Sequence, residues 1–484
     1  MRVDVRKESI FMKFLLSAIF FVFSSAVFAQ INYIHVSPAG DDKNTGKSDS
    51  PVKSVAKAVE LSQSYGRTKV SILLQQGTYY LSAPVEITNT ENSPAELEIT
   101  AANRQKVVIS AGRVLSTDWS HFKGNIYRTS VPEGISFERF FVNGILQTLA
   151  RYPNLDKRAK VFRGTAEDAT FYVRVLTWGN PVGGYVHALD EKKRGSLHYR
   201  ITGVDDTDNL ELDGGWQIRK PVHMAEKERF VENILGELDA PGEWYLDKTL
   251  GVLYYYPSSG TDLSKAKFEV SNLKSSFILK GKDSDQLKNV KIKNLNFVHN
   301  ERSFMDSRDT LTSSDFSVFR GGAVLFENTL NCSVEACSFS DLGGNAVVLN
   351  NFNENGSLAG CYISDIGANG AMILGDCNNC LIADNLFSNI GVIEKQGVAI
   401  LLNAVKKNNI EQNTFFEMPG PAIRAENCDL KNIQIRLNNH FKDYQELRAA
   451  PGEQSYQFQN GPDNPKSGVQ NPALKALLYN RNNK

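Results

Sequence analysis

One spacing constrains this chain more than any other feature. Cys337, Cys361 and Asn385 stand 24 residues apart, and Asn413 and Asn438 follow at steps of 28 and 25. Around them one pattern returns: NCSVEACSFSDLGGNAVVLNN from Asn331, NGSLAGCYISDIGANGAMILGD from Asn355, and NCLIADNLFSNIGVIEKQGVAILLN from Asn379. NNIEQNTFFEMPGPAIRAEN from Asn408 and a degraded IRLNNHF from Ile435 complete it. Each copy is too short for a helical hairpin and alternates apolar and polar residues in short runs broken by Asn and Gly. Short strands stacked three to a turn fit both the period and the chemistry. The predicted fold class is all-β, a right-handed parallel β-helix over 268–445. Asn at a recurring position suits a ladder of amides. The alternative is a β-sandwich of similar spacing, whose strands do not repeat in sequence.

Alternation along a strand places the columns. In AVLFEN, AVVLNN, AMILGD, VAILLN and AIRAEN, starting at 323, 346, 371, 398 and 422, the inward stacks are expected to be two. They are Val324, Val347, Met372, Ala399 and Ile423, and Phe326, Leu349, Leu374, Leu401 and Ala425. Outward then lie Leu325, Val348, Ile373, Ile400 and Arg424, with Glu327, Asn350, Gly375, Leu402 and Glu426.

Ahead of the repeats the chain divides. Arg2, Arg6, Lys7 and Lys13 precede an apolar run, Phe14 to Phe23, that ends at Val27-Phe28-Ala29. This is a secretory signal layout, cut after Ala29, and the protein is expected to be secreted or periplasmic. Met12 is an equally good start. The run falls short of the about 20 residues a spanning helix needs, so no membrane partner is expected. Residues 30–112 read as an N-terminal cap and first rungs, because a solenoid end must be covered. Residues 113–267 lose the rhythm, are aromatic-rich and end in GEWYLDKTLGVLYYYP, as expected of an inserted antiparallel β-domain. From 446 the polar tail is expected to be ragged. Lys+Arg 54 balances Asp+Glu 54, which argues against a nucleic-acid partner. A monomer is expected.

The opening VSPAGDDKNTGKSDSPVKSVAKA resembles the start of secreted β-helix carbohydrate-active enzymes of pectin-lyase-like fold. LARYPN (149–154), GGWQIRKPVHM (214–224), RFVENILGELDAPGEWYLD (229–247) and FSVFRGGAVLFEN (316–328) look like glycoside hydrolase family 141. The resemblance spans about 33 to 430 and implies action on plant or algal cell-wall glycans, fucosidase and xylanase activities included. It also implies further rungs after 420–427, bearing acids at the groove. Here IRLNNHFKDYQEL runs straight into the tail, so the family's catalytic residues do not transfer.

Glycoside hydrolysis needs two carboxyls, about 5–5.5 Å apart for retention and about 6.5–9.5 Å for inversion. Rungs stack at about 4.8 Å. Glu327 and Glu426 are four rungs apart, about 19 Å, and cannot pair. Asp341 and Asp365 hold equivalent turn positions one rung apart, in SDLGG and SDIGA. Like charges at about 5 Å would raise one pKa, as an acid catalyst requires; alternatively both cap tight turns, as Asn389 does. The catalytic candidates are Asp341, Asp365 and Glu327, expected at one groove edge. The substrate-binding candidates are Asp315 and Arg320 on the insertion 299–320, expected to overhang the groove, with Asn350 and Arg424 on the outward strand and Arg151 reaching over from the inserted domain. Surface ion pairing competes at Asp315 and Arg320, and a hairpin anchored by Pro153 at Arg151 and Asn154. Trp216 is either a sugar-stacking face or core.

No HExxH or paired metal-ligand spacing occurs, and no metal or cofactor is expected of a hydrolase. Cys377-Asn-Asn-Cys380 lacks a second half-site. Cys337 and Cys361 could be bridged or remain buried thiols. The expected partner is a polysaccharide or oligosaccharide. Two other functions compete: a polysaccharide lyase using Arg424 or Lys395 as base, with Ca²⁺ on the uronate, and a non-catalytic glycan-binding β-helix.

Overall fold

The computed structural model describes residues 31–311, 313–440 and 468–482. Three parallel sheets run side by side. The first goes from Ile31–Val36 through Ser333–Glu335 to Gln434–Arg436, and the second from Val85–Thr88 through Val324–Leu330 to Ile423–Glu426. The third goes from Gly77–Tyr80 through Ser338–Leu342 to Asn439–His440. Each circuit of the chain adds a strand to each sheet, and the body is a right-handed parallel β-helix. An antiparallel arrangement of the repeats is thereby excluded.

Sharp corners make the circuit possible, and they are left-handed. Ala336, Gly360, Asp384, Gln412 and Leu437 all have positive φ, between 50° and 64°. Each immediately precedes one of the five residues whose spacing marked the repeat. Those five are buried in one column, where the Cys361 amide donates to Asn385 Oδ1 at 2.8 Å, Asn385 to Asn413 at 3.0 Å and Asn413 to Asn438 at 2.9 Å. The Asn side chains thus satisfy backbone amides that the turn would otherwise strand inside an apolar core. Cys337 and Cys361 are buried free thiols.

The inward stacks differ from expectation by one residue in the middle rungs. Val347 pairs with Ala371, not Met372, and Ala371 with Ile400, not Ala399; Leu349 pairs with Ile373, and Ile373 with Leu402. A one-residue slip sends side chains to the opposite face. Met372, Leu374 and Leu401 therefore point outward beside Leu325 and Val348, while Ile373 and Ile400 point in. The outward cluster is not a sugar groove. Leu311 and Val318 of the 299–320 insertion pack on it, the insertion forming a hairpin at Asp309–Thr310 and Ser317–Val318.

At the N-terminal end the helix Val55–Ser62, capped by Ser54 accepting from Lys57 N at 3.1 Å, buries Val55, Ala58 and Val59 against the first rung. The chain leaves the β-helix after Gly112–Val114 and re-enters at Phe268–Ser271, two strands that pair antiparallel. Between them lie two five-stranded sheets, mainly antiparallel, one packed with Phe140, Trp244 and Tyr255 and the other with Val186, Ile201 and Val231. Part of the tail is ordered: Val469 and Leu474 are buried with Leu386 and Phe416, and the Asn471 amide donates to Asp384 Oδ1 at 2.9 Å. Two apolar residues in a polar stretch suffice because the third sheet's outer face is itself apolar there. The expected signal segment, residues 441–445 of the predicted β-helix and residues 446–467 of the tail lie outside the described residues. Among the described residues no helix is long and apolar enough to cross a membrane.

Candidate active site

Another left-handed corner, between the third sheet and the second, carries polar side chains outward. It is occupied in successive rungs by His299, Asp341, Asp365, Asn389 and Glu417, with φ of 69°, 51°, 56°, 50° and 55°. Asn and Asp tolerate this conformation better than most residues. The turn's own preference is therefore one reason for aspartate at both positions. It does not exhaust them.

Both aspartates line a cleft of ≈570 Å³ whose other wall belongs to the inserted domain, with Arg139, Leu149, Phe162 and Phe230 among its lining. Burial pushes the Asp341 carboxyl up from its ordinary value, and the Asp365 charge adds to that rise against the pull of Arg139. Arg139 Nη1 donates to the Asp341 and Asn300 carbonyls, at 2.5 and 3.2 Å, so the guanidinium is fixed beside the pair. Asp365 Oδ1 accepts from Asn389 Nδ2 at 2.6 Å. The raised pKa suits Asp341 to an acid's part, and Asp365 is oriented by its bond from Asn389.

Sequence reasoning missed the opposite acids. Glu138 and Glu232 face the cleft, and Arg302 lies between them, with Nε 3.1 Å from Glu138 and Nη1 bonded to Glu232. Burial opposes ionisation of Glu232, but Arg302 and then His187 outweigh it and hold the carboxyl well below its usual range. A buried chain continues from there. His187 Nε2 lies 3.0 Å from Glu232, the two histidine Nδ1 atoms are 2.6 Å apart, and His198 Nε2 lies 2.9 Å from Ser196 Oγ. Burial lowers both histidine pKa values, that of His198 well below its ordinary range. The chain ends on Gln396 of the β-helix and ties the two bodies together. The only sequence signal for it was Glu232 within the stretch RFVENILGELDAPGEWYLD.

The remaining expected residues lie elsewhere or act structurally. Glu327 is not in the cleft; it pairs with Lys280 at 2.9 Å and accepts from Asn351 at 2.9 Å. Its strand end is at a different corner from Asp341, which the linear pattern did not reveal. Asp315 binds Arg194 at 3.2 Å and Lys220 at 2.8 Å, fastening the insertion to the inserted domain. Arg320 is spent on Asp309 at 2.6 Å and Asn350 at 2.7 Å. Arg424 is buried, donating to the Gln396 carbonyl at 2.9 Å over the Phe316 ring. Arg151 does line the cleft, but its donors go to the carbonyls of Pro153, Phe162 and Gly164 at 2.9, 3.0 and 2.6 Å. Asn154 bonds Asp239 at 3.0 Å, and Trp216 is exposed, 39%. Lys395 lines the cleft. Among the described residues no three His, Cys, Asp or Glu side chains gather as a metal site.

Residues 255–445 match the family described as the right handed beta helix region. A solved structure described as a glycoside hydrolase is 20% identical, with TM-score 0.71, covering 86% of this chain and 84% of that one. The structure of XylC with xylose is 13% identical, with TM-score 0.53, covering 84% of this chain and 62% of that one. At these identities the likeness is one of fold. No protein of curated function matches.

Proposed function

We propose that this protein is an exported glycoside hydrolase acting on a plant or algal cell-wall polysaccharide, with Asp341 as general acid and Asp365 as its carboxylate partner. One observation carries the reading: two aspartates one rung apart on the wall of a large cleft, the pKa of Asp341 raised by burial. Backbones one rung apart are about 4.8 Å apart, close to the about 5–5.5 Å between the carboxyls of retaining enzymes. Asp341 protonates the glycosidic oxygen, and Asp365, oriented by Asn389, attacks or stabilises the anomeric carbon. The glycoside hydrolase of similar fold supports the reading without fixing the sugar.

A lyase remains the second reading because burial brings the Arg139 guanidinium down to about 10 inside the same cleft, and Lys395 stands near. Arg424 is no longer a candidate base. Digestion of a panel of plant and algal glycans, resolved by product chromatography, separates these readings. Saturated reducing-end products that vanish in Asp341→Asn support the hydrolase. Ultraviolet-absorbing unsaturated products support the lyase, and binding without products a non-catalytic protein.

A further inference from the structure

The cleft wall contributed by 153–164 is built unlike its surroundings. Arg151 gathers three of its carbonyls, and the Asp156 amide closes it by donating to the Arg163 carbonyl at 2.8 Å. Phe162 anchors it, buried against Phe230 with ring centroids 5.1 Å apart. Phe162 and Arg163 are consecutive left-handed residues, φ 47° and 53°, neither of them glycine. A strained tip held by an arginine staple and an aromatic anchor fixes where the next side chain goes. That side chain is Arg163, and it lines the cleft with Lys157.

Neither cation has a side-chain partner among the described residues, and both are exposed. No acid of the cleft pairs with either: Arg302 occupies Glu138 and Glu232, Asn389 bonds Asp365, and Arg139 is the cation that acts on Asp341. On a neighbouring stretch of the lining, Ile145 and Leu146 are 68% and 40% exposed. Unpaired cations in one cleft with an exposed apolar edge suit a ligand with a C–H face and a fixed negative charge.

We propose that the cleft takes an anionic glycan, its sugars bearing carboxylate or sulfate groups, with Lys157 and Arg163 holding the anionic group and Ile145 and Leu146 covering a sugar face. This rests on the cleft being the glycan site and names its substrate class.

The test uses the full chain carrying Asp341→Asn, titrated calorimetrically with polygalacturonate, a sulfated fucan and neutral xylan. Expected is binding to an anionic polymer that weakens with salt and exceeds that to xylan. Lys157→Gln with Arg163→Gln should weaken it about tenfold or more, as lost charge-assisted bonds do, while Lys157→Arg with Arg163→Lys retains most of it. The two anionic probes distinguish carboxylate from sulfate. Xylan bound as tightly, no binding to either anionic polymer, or an unchanged affinity in the Gln pair overturns the proposal. Xylan cleavage by the unsubstituted protein without anionic binding overturns it while leaving the hydrolase standing. Anionic binding without cleavage does the reverse.

Discussion

At Asp341 the backbone and the chemistry make separable demands. The left-handed corner accepts Asn as readily as Asp, so Asp341→Asn should cost about 10²–10⁴ in turnover while changing unfolding free energy by no more than about 0.5 kcal/mol. Asp341→Ala should lose both, with about 1–2 kcal/mol of stability for a Cβ in that conformation without a polar side chain. Equal destabilisation by Asn and Ala would mark the carboxyl as a turn cap alone. Because the Asp341 pKa is raised, activity should persist above the ordinary carboxylate value of 3.8 and fall as pH rises through the raised one. Glu243 offers a stability counterpart. Burial pushes its carboxyl from 4.5 up to about 8, and Oε1 has no hydrogen-bond partner among the described residues. The folded state keeps a proton there that the unfolded chain loses, so its contribution declines as pH rises from 4.5 to about 8. Glu243→Gln should therefore unfold with a flatter pH dependence and be the more stable protein above pH about 8, on the order of a few kcal/mol. Parallel urea denaturation of both proteins at several pH values checks it.

The element that organises the molecule is the rung, and its ladder is the part most exposed to test. Asn413 accepts from the Asn385 amide and donates to the Ile382 carbonyl at 2.9 Å, inside the core. Asn413→Ala leaves both unpaired, at about 1–3 kcal/mol each, and should lower the urea midpoint accordingly; an unchanged midpoint would mean the ladder is ornamental. This column was legible because its residue type and its spacing agree. Strand register was less so. The 24-residue step leads from Val347 to Ala371, but the likeness of AVVLNN to AMILGD points to Met372, and the 391–397 stretch hides the next step. Apolar residues lie on both faces of the second sheet, since the insertion covers the outer one, so alternation could not arbitrate. Asp341 and Asp365 were legible as equivalent corner positions. Arg139, Glu138, Glu232 and Arg302 were not, because their contacts cross between the inserted domain and the β-helix, Glu232 to Arg302 over 70 residues and Arg139 to Asp341 over 202.

At the scale of the molecule, the β-helix supplies two aspartates at a fixed repeat and the inserted domain supplies the wall that turns an open corner into a cleft. The buried chain from Glu138 through Arg302, Glu232, His187 and His198 to Gln396 spans the seam between them. Removing one charge from it leaves others buried and unpaired, so Arg302→Met should cost about 3–5 kcal/mol. Product chromatography of a glycan panel digested by the full chain, alongside Asp341→Asn and Asp365→Asn, tests the central claim most directly. The account predicts saturated oligosaccharides from at least one cell-wall glycan and none from either variant, both folded by circular dichroism. Unsaturated products, or the same products from the folded Asn variants, would contradict it.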